Sequence, residues 1–203
     1  LNLYVIIRVY KSGNSGIYAV LGIIRKVTGE CIVSKKKNNT NLEAGKTRIL
    51  VVDDHPIVRD GVADLLNLEA DFVVIARAGN IAEAVEAVKK QRIDLALVDM
   101  LLKDETGVQV TKKIKAICPN IIVMIFSMSD ELRYIKQAFE AGARGYIAKD
   151  EVSEKIIDAI RQVLDGKAYL SERLAKKFSK YELNEFLVND SKPVILKGIP
   201  DNI

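Results

Sequence analysis

The chain has 203 residues, 49% hydrophobic and 29% charged, enough for one ordinary domain with a remainder, or for two small ones, at roughly 100–150 residues each. With 12 Gly and 4 Pro, it is neither collagen-like nor disordered throughout. Residues 1–47 carry 8 Lys/Arg against 2 acids, whereas 48–203 carry 23 against 25, so the formal charge of +4 belongs to the leader and the slightly acidic main body lacks the basic balance often read as a nucleic-acid signature. Cys31 and Cys118 are too few for a disulfide scaffold, and no secretory signal opens the chain, so a reducing, cytoplasmic setting is expected.

Residues 1–47 read as a β-rich or irregular extension ending in a basic linker. Apolar runs at Leu3–Val9 and Ile17–Ile24 flank the turn-rich Ser12-Gly13-Asn14-Ser15-Gly16, and Thr28-Gly29-Glu30 suits a hairpin between Ile23–Val27 and Cys31–Val33. Ile17–Ile24, the longest uncharged apolar run, has eight residues against the roughly 20 that span a bilayer as a helix, so no transmembrane helix is expected. The run Lys35-Lys36-Lys37 reads as a solvated linker.

From Arg48, short apolar runs alternate with stretches of helical period, the pattern of a β/α repeat with a parallel sheet. Five units are expected, with strands at Ile49–Val52, Phe72–Ala76, Leu95–Val98, Ile121–Phe126 and Gly145–Ile147. The unbroken Ile/Val/Leu content of the middle strands suits burial on both faces. Helices are expected at Pro56–Leu68, Ile81–Gln91, Gly107–Ile117, Asp130–Ala141 and Glu151–Leu164, with Pro56 in a first turn and Gly142 and Gly166 at helix ends. Right-handed crossovers make this a doubly wound α/β domain over 48–168. Residues 169–203 read as a linker helix, Glu172–Phe186, and a tail. They are too short for a helix-turn-helix output domain of about 60 residues.

Ligands of an open parallel sheet bind beyond the carboxyl ends of its strands. Strand one ends in Asp53-Asp54, strand three in Asp99, strand four in Ser127, and Lys149 lies just past strand five. Three carboxylates brought together repel one another unless a cation neutralises them. Such an oxygen-rich site suits Mg²⁺, which keeps several waters and takes phosphate oxygens. A metal, a lysine and a hydroxyl around one carboxylate can stabilise a phosphoryl group in flight, so phosphoryl chemistry is expected with Asp99, at mid-sheet, as nucleophile. His55, the sole histidine, reads as a loop residue, and the two cysteines as reduced, packed thiols.

The run Ile49-Leu50-Val51-Val52-Asp53-Asp54-His55-Pro56, Leu97-Val98-Asp99 with Gly107 eight positions on, Ser127, and Gly145-Tyr146-Ile147-Ala148-Lys149-Asp150 together resemble a response-regulator receiver domain. The resemblance covers about 48–168 and is most similar to the subfamily that usually carries a LuxR/NarL-type helix-turn-helix. It implies a flavodoxin-like (βα)5 sheet of strand order 2-1-3-4-5. It further implies that Asp99 accepts a phosphoryl group from a histidine kinase or phosphotransfer protein. Mg²⁺ would be held by Asp54, Asp99, the backbone carbonyl of Leu101 and, through water, Asp53. Ser127 and Lys149 would contact the phosphoryl oxygens, and Tyr146 would swing inward as Ser127 moves. The switching surface would comprise the fourth helix, fifth strand and fifth helix, and in a LuxR/NarL-type regulator the fourth-helix to fifth-strand face would pair two copies on phosphorylation.

Two positions depart from the family pattern. Lys103 stands where a proline usually stiffens the loop after the phosphoacceptor, and Asp150 stands where a proline often follows the lysine, as is common in the LuxR/NarL subfamily. Apolar Leu101 cannot orient an attacking water, so slow self-dephosphorylation is expected.

The chain thus reads as a signalling module that catalyses only its own modification. Two alternatives stand beside this reading. One is a LuxR/NarL-type transcriptional regulator lacking its DNA-binding part. The other is a haloacid-dehalogenase-like phosphatase, which would need its nucleophile at the end of strand one and an acid at position 55, where this chain has His55.

Overall fold

The computed structural model describes residues 4–11, 17–24 and 45–177. Strands β1 (Tyr4–Lys11) and β2 (Ile17–Ile24) pair antiparallel in register, Tyr4 opposite Ile24 and Lys11 opposite Ile17. The expected hairpin at Thr28-Gly29-Glu30, the Lys35–Lys37 linker and Cys31 lie outside the described residues.

The main sheet is built from β3 (Thr47–Val52), β4 (Phe72–Ala78), β5 (Leu95–Asp99), β6 (Ile122–Ser127), β7 (Gly145–Ala148) and the two-residue β8 (Tyr169–Leu170). Between and beyond them lie α1 (Pro56–Leu66), α2 (Ile81–Lys90), α3 (Gly107–Ile117), α4 (Leu132–Glu140), α5 (Val152–Leu164) and the short α6 (Glu172–Ala175). The strands are parallel, in the order β4-β3-β5-β6-β7-β8. Apart from β8, this is the expected 2-1-3-4-5 order of the flavodoxin-like fold.

Side chains alternate across a strand, so each buried strand feeds two cores. Leu50, Val52, Ala96, Val98, Val123 and Ile125 face α2, α3 and α4. Ile49, Val51, Leu95, Leu97, Met124 and Phe126 face α1 and α5. Every residue of β5 is buried, which is why that strand shows no polar alternation. Among the described residues, no helix is long and apolar enough to cross a membrane.

Three of the departures from the sequence expectation lie beside β6 and β7. Helix α4 begins at Leu132 rather than Asp130, because Glu131 is extended and Asp130 turns outward to pair with Lys177 and Arg173. Residues Lys149–Glu151 form a 3₁₀ turn ahead of α5. Tyr169 and Leu170 add a sixth strand beside β7, and the segment read as a helix over 172–186 is helical at Glu172–Ala175, with residues from 178 outside the described set.

Gly107 fixes how closely α3 approaches the end of β5. Its N–H donates to the Met100 carbonyl at 2.8 Å, and a Cβ there would lie 2.4 Å from the Asp99 carbonyl oxygen and 3.0 Å from Met100 Cα. Backbone cannot yield as a side chain can. Gly107→Ala is expected to destabilise the domain by about 1–3 kcal/mol, the usual range for overpacking, read as a lowered urea midpoint at unchanged slope.

Candidate functional site

The order of strands reverses around β3 and β5, where a crevice opens at their carboxyl ends. Val52 pairs with Val98, Asp99 with Phe126, and Ser127 with Ala148, so Asp53, Asp99, Ser127 and Lys149 all emerge at one rim. Asp53, Asp99 and Ser127 are buried, and the Lys149 side chain is only 10% exposed. Lys149 starts two strands away from Asp99, roughly 10 Å at ordinary strand spacing. Its long side chain crosses that gap over the Phe126 ring, with Nζ 4.8 Å from the ring centroid.

The ammonium ends between two carboxylates, donating to Asp53 Oδ2 at 2.9 Å and Asp99 Oδ2 at 2.6 Å. Asp53 is otherwise committed: Oδ1 accepts the His55 N–H at 2.8 Å, and its carbonyl accepts from Arg59 at 2.6 Å. Asp99 Oδ1 receives only a long 3.3 Å bond from the Leu101 N–H. Burial pushes the Asp99 carboxyl up to about 6; Lys149 opposes the shift and neighbouring Asp53 adds to it. Burial works against the charge of Lys149, yet Asp99 and Asp53 hold its pKa above the ordinary lysine value.

Asp54 is differently placed. Its Oδ1 is buried without a hydrogen-bond partner, although His55 Nδ1 lies 3.0 Å away. One ammonium against three carboxylates leaves excess negative charge, and Asp53, Asp54, His55 and Asp99 offer ligand atoms all within 4.8 Å of one another. This donor set is compatible with a hard divalent cation such as Mg²⁺. His55, read from sequence as a plain loop residue, joins the cluster because it is the residue before α1 and its ring folds back over the Asp53-Asp54 turn. Its place directly after two acids was the available signal.

The loop after Asp99 is held without the usual proline. Leu101 and Thr106 form an antiparallel bridge, and Leu102 N–H donates to the Glu105 carbonyl at 3.1 Å. The Glu105 carboxylate accepts the Ile81 N–H at the start of α2, 2.7 Å away. Thr106 and Gln109 close a capping box on α3. Lys103 therefore replaces a stiffening residue in a loop stiffened by hydrogen bonds. The Leu101 side chain is 45% exposed.

Ser127 and Tyr146 meet at Ser129, a residue the sequence did not single out. Ser127 Oγ accepts the Ser129 N–H at 3.0 Å, and the Tyr146 hydroxyl donates to the Ser129 carbonyl at 2.8 Å. Tyr146 is wholly buried, so the ring expected to swing inward already lies inside, and burial pushes its phenol up to about 12.

Comparison with known proteins agrees with this geometry. The family model described as "Response regulator receiver domain" matches residues 49–161. A LuxR-family two-component response regulator from Aurantimonas sp. SI85-9A1 is 30% identical, superposes with a TM-score of 0.64, and is matched over 68% of this chain and 99% of that one. The receiver domain of the putative response regulator NarL from Mycobacterium tuberculosis is 32% identical with a TM-score of 0.57, covering 60% of this chain and 98% of that one. The oxygen regulatory protein NreC of Staphylococcus epidermidis is 34% identical over 146 residues, 71% of this chain and 65% of its own length. The transcriptional regulatory protein DegU of Brevibacillus brevis is 30% identical over 142 residues, 70% of this chain and 60% of its own length. The chain thus spans between 60% and 65% of the length of these two curated relatives. By the family match, the fold and the carboxylate cluster together, the chain belongs to the response-regulator receiver-domain family of two-component signalling and is related to its LuxR/NarL-type regulators.

Proposed function

We propose that Asp99 is the phosphoacceptor, taking a phosphoryl group from the phosphohistidine of a histidine kinase or phosphotransfer protein. The observation that carries this reading is the single ammonium of Lys149 shared between Asp53 and Asp99, beside an Asp54 oxygen with no hydrogen-bond partner. Lys149 holds Asp99 Oδ2, leaving Oδ1 as the more weakly bonded carboxylate oxygen. That oxygen attacks phosphorus, the phosphorus–nitrogen bond breaks, and its electron pair leaves with the donor imidazole. Lys149 and the Ser127 hydroxyl then stabilise the phosphoryl oxygens.

Asp54 and Asp99, with the Leu101 carbonyl and Asp53 through water, would hold Mg²⁺. Bound there, the ion would neutralise the clustered carboxylates and the charge developing on the phosphoryl oxygens. Signalling then proceeds by a change in the α4–β7–α5 face, with Ser127 and Tyr146 as the switch pair. A cytoplasmic setting and pairing of two copies through that face belong to the same reading. A second reading, a LuxR/NarL-type transcriptional regulator of which this chain is the receiver part, is favoured by the relatives' names and by their greater length. The phosphatase alternative loses support, since position 55 is His and Asp53 is fully engaged in holding Lys149, His55 and Arg59.

Incubation with acetyl phosphate and Mg²⁺ is expected to add one base-labile phosphate by intact mass, and none to Asp99→Asn. A folded parent that gains no phosphate would refute the assignment.

Because Leu101 offers no group to orient water, Leu101→Asn is expected to shorten the life of the phosphorylated state by roughly tenfold, about 1.4 kcal/mol of barrier. Time-resolved mass spectrometry of the decay checks this.

The raised Asp99 pKa also sets a pH dependence. A carboxyl that titrates near 6 when folded and 3.8 otherwise contributes stability that is complete below 3.8 and lost as pH rises through about 6. Without metal, the protein is therefore expected to lose about 1–3 kcal/mol across that window. Asp99→Asn should remove the loss, and Mg²⁺ at neutral pH should raise the melting temperature of the parent only. Thermal melts from pH 4 to 8, with and without Mg²⁺, measure both.

A further inference from the structure

The segment after α5 does not leave the domain as a free linker. Tyr169 and Leu170 pair in parallel with Gly145 and Tyr146 of β7, with Ser171 N–H donating to the Tyr146 carbonyl at 3.1 Å and Tyr169 N–H to the Arg144 carbonyl at 2.9 Å. β8 thereby covers the open edge of β7, in the middle of the face expected to switch. Leu170, Leu174 and Ala175 are buried in the core that holds Ile135, Ala138 and Tyr146.

Charge ties the segment to the two loops that carry the phosphoryl-contacting residues. Arg173 pairs with Asp150 at 3.1 Å, next to Lys149, and reaches Asp130 at 4.0 Å. Lys177 also pairs with Asp130, three residues past Ser127. These inter-strand hydrogen bonds and ion pairs thus all fall within three residues of Ser127, Tyr146 or Lys149.

The connection runs through a hydrogen-bonded unit at the ends of β6 and β7. Ser127 Oγ now accepts from Ser129 N–H, and Ser129 O accepts from Tyr146. A phosphoryl group on Asp99 offers acceptor oxygens to the Ser127 hydroxyl proton and to Lys149, which now holds Asp53 and Asp99. Drawing Ser127 toward it moves the 127–131 loop, and with it Asp130, the anchor shared by Arg173 and Lys177. Those ion pairs are two-fifths or more exposed and therefore individually weak, so a small displacement of one anchor shifts the balance.

We propose that residues 169–177 are a strap on the β7 edge, clamped through Asp130 and Asp150, whose hold weakens when Asp99 is phosphorylated. This rests on the assignment of Asp99 as phosphoacceptor. The strap converts a change at the strand ends into release of the chain that follows, and its release bares the β7 edge.

The test is amide hydrogen exchange on the full chain, with intact mass recorded on the same sample. After acetyl phosphate and Mg²⁺, exchange at Ser171, Ala175 and Lys177 should rise roughly tenfold relative to the unmodified protein, while β5 amides stay protected. Arg173→Ala combined with Lys177→Ala should raise the same amides without modification. By reciprocity of coupled equilibria, it should also bind the phosphoryl analogue beryllofluoride several-fold more tightly in calorimetry. A phosphorylated protein whose strap exchanges no faster overturns the coupling alone. So does a double variant with unchanged strap exchange, or one with a released strap and parental beryllofluoride affinity. Absence of the phosphate adduct overturns the Asp99 assignment and the coupling with it.

Discussion

Two buried carboxylates sharing one buried ammonium is the constraint around which the sheet end is arranged. Asp53 and Asp99 sit on adjacent strands, and Lys149 reaches both from two strands beyond Asp99. A buried ion pair adds little net stability, because desolvation consumes most of the attraction, but removing the Lys149 ammonium would leave two buried carboxylates unpaired, at about 3–5 kcal/mol. The cluster is thus poised. The ammonium locks three strand ends into register, and the surplus negative charge and a buried Asp54 oxygen that accepts no hydrogen bond make the site compatible with a cation.

The rest of the domain supplies the rigidity that this arrangement demands. Parallel strands buried on both faces, with α2, α3 and α4 on one side and α1 and α5 on the other, fix the direction in which each terminal side chain points. Gly107 lets the capped start of α3 come up against the Asp99 carbonyl. Glu105 ties the loop after Asp99 to the start of α2. Asp99 therefore sits on a strand and below a hydrogen-bonded loop, with little freedom.

Ser127 and Tyr146 are joined at Ser129. One residue receives the Tyr146 hydroxyl and gives its N–H to Ser127, so the hydroxyl that would meet a phosphoryl group and the buried aromatic of β7 share a partner. The segment 169–177 adds a further layer, since its hydrogen bonds fall on β7 and its cations on the flanking loops. Buried strands hold the charged site, while the loops beside it are joined by exposed ion pairs.

The sequence determined the β/α alternation, the buried strands, the strand order by resemblance, and the residues at the strand ends. These are legible because hydrophobic periodicity and helix-start chemistry are local, and because Asp53, Asp54, Asp99, Ser127 and Lys149 stand directly at the ends of apolar runs. Ser129, the folded-back ring of His55, the inward Tyr146 and the strap over β7 were decided only by the tertiary structure. Tyr169-Leu170 is too short to read as a strand until β7 offers an unpaired edge. Asp130 reads as a helix start until Arg173 and Lys177, more than 40 positions away, draw it outward. A contact between distant positions leaves no periodicity in the chain, and packing alone chooses which polar groups become neighbours.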